Sequence, residues 1–256
     1  MTPFPVPPLV EFGFYLPGSG NALLQLLEAC LGLGAGIEGT VLVHRGPAIG
    51  ARPWDVSSDE GRPVYSRIGS LADARNLVAD EDSRLIQVLL RPGVDGSDRP
   101  EVVASLRISD EATRECVNPV ALWRGSNSTP PMDVGPGQND FRWFIELCRR
   151  LRPHYAAVTI ELALACPYDL SNDPYSAMFY DFFVGIDHAE SRTFAELLEM
   201  YRSHGAYVER SEAGTYVSTT PSMNPIGLSV PSTIRQDLSH RASKVIDFIV
   251  RGHASD

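Results

Sequence analysis

The stretch from Phe141 to Ile186 constrains the fold more than any other, because two different hydrophobic periods follow one another in it. Phe141, Phe144, Ile145, Cys148 and Leu151 recur at the spacing of one helical face. Asn139 or Asp140 stands where a side chain can cap the first turn, and Pro153 restricts Arg152 and ends the helix. Arg149, Arg150 and Arg152 then fall at the negative end of the helix dipole, where cations are favoured. That accounts for the cluster without an anion or nucleic-acid site.

From Tyr155 the period changes to two. Ala156, Val158, Ile160, Leu162 and Leu164 alternate with a second set that includes Tyr155, Thr159 and Glu161, the pattern of a half-buried strand over Tyr155–Ala165. Cys166-Pro167 stops it, and Tyr168–Ser176 has the composition of a loop. Ala177–Ile186 reads as a second strand. Its more apolar face is Met178, Tyr180, Phe182, Val184 and Ile186, with Asp181 on the opposite face between Phe179 and Phe183.

An antiparallel pairing that matches the two apolar faces must oppose residues whose numbers add to an even value. A register that sets Glu161 against Asp181 meets this condition and suits the loop. Opposed carboxylates repel, so they persist where water, a cation, a shared proton or a partner compensates. The exposed face built in this way holds Tyr155, Glu161, Tyr168, Asp169, Asp173, Phe179, Asp181 and Phe183. Aromatics there would anchor a partner, and the charges would set its on-rate and identity. The competing expectation is that a helix covers the phenylalanines and buries both faces of the sheet.

The rest of the chain supplies similar elements. Val10–Leu16 reads as a strand, and a helix capped by Ser19 or Asn21 follows to about Leu33. Gly34 to Gly39 matches G-x-G-x-x-G, but it follows a helix and opens the apparent strand Thr40–His44. A dinucleotide site needs the reverse order, so the glycines are expected to stop the helix. Ser70–Ala79 reads as a helix, and Arg84–Leu90 and Glu101–Ile108 as strands. Helix–strand–strand thus occurs twice, at 70–108 and at 139–186. Val120–Trp123 is a short apolar run. Residues 125–138, rich in Gly, Pro and Ser, read as a connector between an N-terminal half, 1–124, and a C-terminal half, 139–256, with one continuous domain as the alternative. Thr193 and Glu196 suggest a capped helix through Tyr201, Tyr207–Ser218 a hairpin, and Ser232 the cap of a final helix. The fold class expected is α+β: a largely antiparallel sheet, or sheets, with helices packed on one face.

Function is far less legible. The 256 residues carry a formal net charge of −10, which argues against nonspecific binding to nucleic acid or to an anionic membrane and is compatible with a basic protein partner. There is no run of about 18 apolar residues and no basic-then-apolar N-terminus, so the chain reads as cytoplasmic and not as a membrane protein. Cys30, Cys116, Cys148 and Cys166 lack ligand spacing, and no two of the six histidines make H-x-x-x-H, so neither a metal nor a disulfide is expected. No nucleophile elbow or phosphate-binding loop occurs, and no cofactor is implied.

The preferred reading is a noncatalytic, acidic protein-binding protein, for example an immunity-type inhibitor of a basic toxin or nuclease. The alternative is a small-molecule enzyme that uses Glu161 and Asp181, with His188, for acid–base chemistry. Asp187, His188 and Glu190 could also hold a hard cation with Asp181, although a polar turn explains them as well.

Overall fold

The computed structural model describes residues 9–16, 22–45, 64–78, 83–91, 102–107, 119–125, 138–160, 181–219 and 230–252. The chain divides into two compact units. One comprises Met1–Glu11, Gly18–Gly135 and Ile160–Ala163, and the other Phe12–Pro17, Pro136–Thr159 and Leu164–Asp256. Strand β1 (Leu9–Tyr15) begins in the first unit and ends in the second. The fold is mixed α+β with antiparallel strand pairing and helices packed on the sheet, as the alternation of periods predicts.

The first unit contains α1 (Ala22–Gly32), β2 (Gly36–Arg45), β3 (Val64–Arg67), α2 (Leu71–Val78), β4 (Ser83–Arg91), β5 (Val102–Arg107) and β6 (Pro119–Gly125). Its strands run β3-β2-β4-β5-β6, each antiparallel to its neighbour. Leu23, Leu24, Leu26, Leu27 and Cys30 of α1 are buried. The helix stops at the glycine run. Gly34 takes φ 90°, and the Gly34 and Ala35 N–H groups donate back to the carbonyls of Leu31 and Cys30. This is the αL stop that glycine adopts without a Cβ penalty. The G-x-G-x-x-G run therefore ends a helix and opens β2. Ser70 caps α2: its hydroxyl accepts from the Asp73 N–H, and the Asp73 carboxylate accepts in return from the Gly69 N–H at 2.8 Å.

The second unit contains α3 (Gln138–Leu151), β7 (Tyr155–Ile160), β8 (Asp181–Gly185), α4 (Ile186–Ala189), α5 (Arg192–Ser203), β9 (Tyr207–Ser211), β10 (Gly214–Ser218) and α6 (Ser232–Gly252). The order is β1-β7-β8-β10-β9. Helix α3 starts earlier than its expected caps, so Asn139 and Asp140 lie inside it. It ends as expected: Arg152 turns into the left-handed region at φ 48°, its N–H donates to the Cys148 carbonyl at 2.9 Å, and Pro153 follows. Helix α5 is capped by Ser191, whose hydroxyl accepts from the Phe194 N–H at 3.2 Å, two residues before the expected Thr193.

The register of the central pair differs from the expectation. Tyr155 faces Val184 and Val158 faces Asp181, so even residues oppose odd ones. The parity argument fails because it assumes one wet face, and here both faces are covered. Phe144 of α3 lies against Phe12 and Phe14 of β1 and Tyr216 of β10, with ring centroids 5.6, 5.8 and 6.1 Å away. Directly opposed residues share a face. The α3 side of the sheet therefore also holds Phe183, which faces Tyr216, together with Ala156 and Asp181. On the other side Phe182 meets Tyr201 of α5 edge-on at 5.3 Å, and Tyr15 stacks on Tyr155. Helix α6 packs on α5, where Ser239 hydrogen-bonds the Tyr201 phenol. All five residues of β8 are buried, and so are all five of β10.

Phe144 is wholly buried among aromatic rings that α3 brings to the sheet. Phe144→Ala should lower stability by about 3–5 kcal/mol, read as a shift of the urea midpoint at unchanged slope. An unchanged midpoint would show that α3 does not hold this face.

Candidate functional site

Asp181 opens β8 with its side chain fully buried. It faces Ser218 directly across the ladder, and Tyr216 stands two residues along on the same side. The Tyr216 hydroxyl donates to one carboxyl oxygen; the Ser218 hydroxyl, at 3.0 Å, and the Thr219 N–H, at 3.3 Å, donate to the other. Burial, and then the nearby Asp181 charge, hold the Tyr216 phenol far above its usual range. The thiol of Cys148 on α3 is likewise pushed well up by burial, and that of Cys30 in the first unit up to about 12. These are chemically quiet groups. Both carboxyl oxygens of Asp181 accept from donors on or next to β10, which is what a buried polar group requires.

A second polar feature lies at the other end of β8. His188 on α4 is buried, and its Nε2 is 2.9 Å from Nδ1 of His154 just before β7. The His154 backbone joins the same corner: its N–H donates to the Tyr15 carbonyl and its carbonyl accepts from the Gly185 N–H. Gly185 and Gly214 face one another across the β8–β10 ladder. A Cβ on Gly185 would stand 2.4 Å from the Pro153 carbonyl oxygen, and one on Gly214, where φ is 151°, 2.2 Å from that of Val184. Only glycine permits this approach.

That close packing sets the adjoining surface. The Ile186 N–H donates to the Ala213 carbonyl at 3.0 Å, which holds the two-residue turn of the β9–β10 hairpin against the start of α4. Ile186 is 40% exposed, and Asp187, Glu190 and Glu212 around this junction are exposed as well. The result is an apolar side chain among three carboxylates. Of the basic side chains near in sequence, Arg192 is held by Glu196 at 3.0 Å, and Arg210, two residues before Glu212, is exposed.

The residues expected on an exposed face are placed differently. Tyr155, Asp181 and Phe183 are buried, the first under the α5 side of the sheet and the other two under the α3 side, because helices cover both faces. Glu161, Tyr168, Asp169, Asp173 and Phe179 lie outside the described residues. Asp181 and His188 do not come together. Four strand steps of about 3.3 Å separate Asp181 from Gly185, and His188 lies beyond. Among the described residues no three His, Cys, Asp or Glu side chains are grouped to hold a metal ion, and no helix is long and apolar enough to cross a membrane. The Ile186 surface was missed because Ile186 reads as the last inward residue of a strand, and only Asp187 and Glu190 carried a signal.

No family model matches the chain, and no curated protein matches it. Among solved structures it is similar to the Pseudomonas aeruginosa T6SS protein PA0821, at 13% identity and a TM-score of 0.45, over 93% of this chain and 73% of that one.

The buried phenol gives a pH dependence with a definite sign. The folded state holds the Tyr216 proton, and that of Tyr201, which burial also raises, at pH values where the unfolded chain releases them. Their contribution to stability is complete below about pH 10 and is lost as pH rises above it. Urea midpoints measured between pH 8 and pH 11 should fall with pH, and less steeply in Tyr216→Phe. At pH 7 that variant should be less stable by about 1–3 kcal/mol, since Asp181 loses a buried donor.

Proposed function

We propose that the chain is a noncatalytic protein-binding protein whose acidic surface docks a basic protein partner, with an immunity-type inhibitor of a basic toxin or nuclease as the concrete form. One observation carries the reading: exposed Ile186 stands among the exposed carboxylates of Asp187, Glu190 and Glu212, on a corner fixed by the Gly185–Gly214 approach. An apolar anchor beside several carboxylates suits a surface that attracts an oppositely charged partner and then excludes water from the contact. The net charge of −10 supports the same partner sign, since it would steer basic proteins toward the chain from a distance.

The reading as an acid–base enzyme has less support. Of Glu161, Asp181 and His188, the last two sit at opposite ends of β8, and each is engaged by neighbouring side chains of its own.

The test starts with partners captured by the full chain and proceeds to association kinetics. Replacing Asp187, Glu190 and Glu212 by their amides should slow association about tenfold at low salt and less at physiological salt, while the circular dichroism and urea midpoint stay as in the wild type. Equal on-rates at both salt concentrations would remove this corner from the account. Turnover of a small molecule that depends on Asp181 and His188 would favour the enzyme.

A further inference from the structure

Among the described residues two large apolar side chains stand exposed, Ile186 and Phe248, the latter at 68%. Their surroundings have opposite charge. Ile186 sits among three carboxylates. Phe248 lies on the outer stripe of α6, one turn beyond Lys244 and two beyond Arg241, all three exposed. This spacing puts them on one helical face, while Leu238, Ala242, Ile246 and Ile249 turn inward.

Like Arg150, Arg152 and Arg210, the two cations are exposed and form no ion pair among the described residues, unlike three other arginines of this unit. Arg149, Arg192 and Arg202 are each held by a glutamate. The Arg241 guanidinium rests 3.8 Å from the Met200 sulfur. In a chain of net charge −10 this leaves two unpaired cations beside Phe248, the most exposed aromatic side chain among the described residues, with exposed Asp237 one turn before Arg241 on the same stripe.

We propose that the Phe248 stripe of one copy docks on the Ile186 corner of a second copy. The inference rests on the reading of that corner as a docking surface for basic groups, and it names a second occupant for it. Each surface has the composition that the other one needs. An apolar side chain from either side would leave water at the centre, and cations would meet carboxylates at the rim, where charge governs orientation and rate. The contact joins two different patches, so it is heterologous unless both patches engage at once across a two-fold axis. A basic partner and a second copy would then compete for the same three carboxylates. The chain would self-associate when alone and come apart as the partner binds.

The test is sedimentation velocity of the full chain at about 100 μM, a concentration suited to a weak contact. At about 0.05 M salt the wild type should show reversible association, and at about 0.5 M salt it should be monomeric. Phe248→Ser should weaken association at least tenfold. So should the double variant Arg241→Glu, Lys244→Glu, and so should Asp187→Lys, Glu190→Lys. All of these positions are exposed, so folding should survive, as circular dichroism would verify. Mixing the two charge-reversed variants should restore association, because each supplies the sign that the other lacks. A wild type that stays monomeric at low salt overturns the proposal. So does association that these variants leave unchanged, or a mixture that stays monomeric.

A second arm separates this idea from the reading it rests on. The probe is a lysine-rich peptide containing leucine, followed by fluorescence anisotropy. Peptide binding that is lost in Asp187→Lys, Glu190→Lys, with all copies monomeric, would keep the corner as a site for basic partners and sink self-docking. Self-association with no peptide binding would do the reverse.

Discussion

Phe144 is the point at which the second unit closes. Its ring reaches from α3 into a cluster of Phe12, Phe14 and Tyr216, contributed by β1 and β10, two strands that do not pair with each other. A helix can bridge the strands between them only if the sheet beneath is apolar across its width, and Ala156, Phe183 and Tyr216 make it so. On the reverse side α5 meets Phe182, and α6 covers α5 in turn. Everything polar in this sheet must therefore be satisfied inside it. Asp181 shows how: a carboxyl under a helix is tolerable where a phenol, a hydroxyl and a backbone N–H all point at it.

Much of this was legible in the sequence because periodicity is a local property. The i, i+4, i+7 spacing of Phe144, Cys148 and Leu151 does identify the buried stripe of α3, with Leu147 added to it and Ile145, expected on it, only half-buried. The glycine run after α1 is a helix stop, as its position before a strand implies. The hairpin Tyr207–Ser218 falls at its expected place, since two turn residues between alternating strands leave few options. Register is different. It depends on which face is wet, and a strand such as Asp181-Phe182-Phe183-Val184-Gly185, apolar on both sides apart from its first residue, contains no such information.

The same reason explains why the candidate surface was the least visible part. A carboxylate between two phenylalanines looks exposed to any rule that expects alternation, yet Asp181 is fully buried. Ile186 looks buried by the same rule. It is exposed because the chain turns into α4 immediately after Gly185, and that turn depends on a contact between Gly185 and the Pro153 carbonyl more than thirty residues earlier. Signals of this kind are three-dimensional, and a single sequence carries them only as two unremarkable glycines.

The glycine pair also has a practical bearing on where the protein can be altered. A tight hairpin turn such as residues 212–213 is ordinarily the first place to splice in a reporter or an affinity tag. Here the Ala213 carbonyl is the acceptor for the first N–H of α4, and Gly214 next to it lies against the backbone of Val184 and Gly185. An insertion would part the hairpin from α4 and displace Glu212 from the corner it shares with Ile186. The turn that looks most permissive on the outside is thus a poor site for a label, and the same geometry makes lengthening it a way to dismantle the corner while leaving every side chain of the core in place.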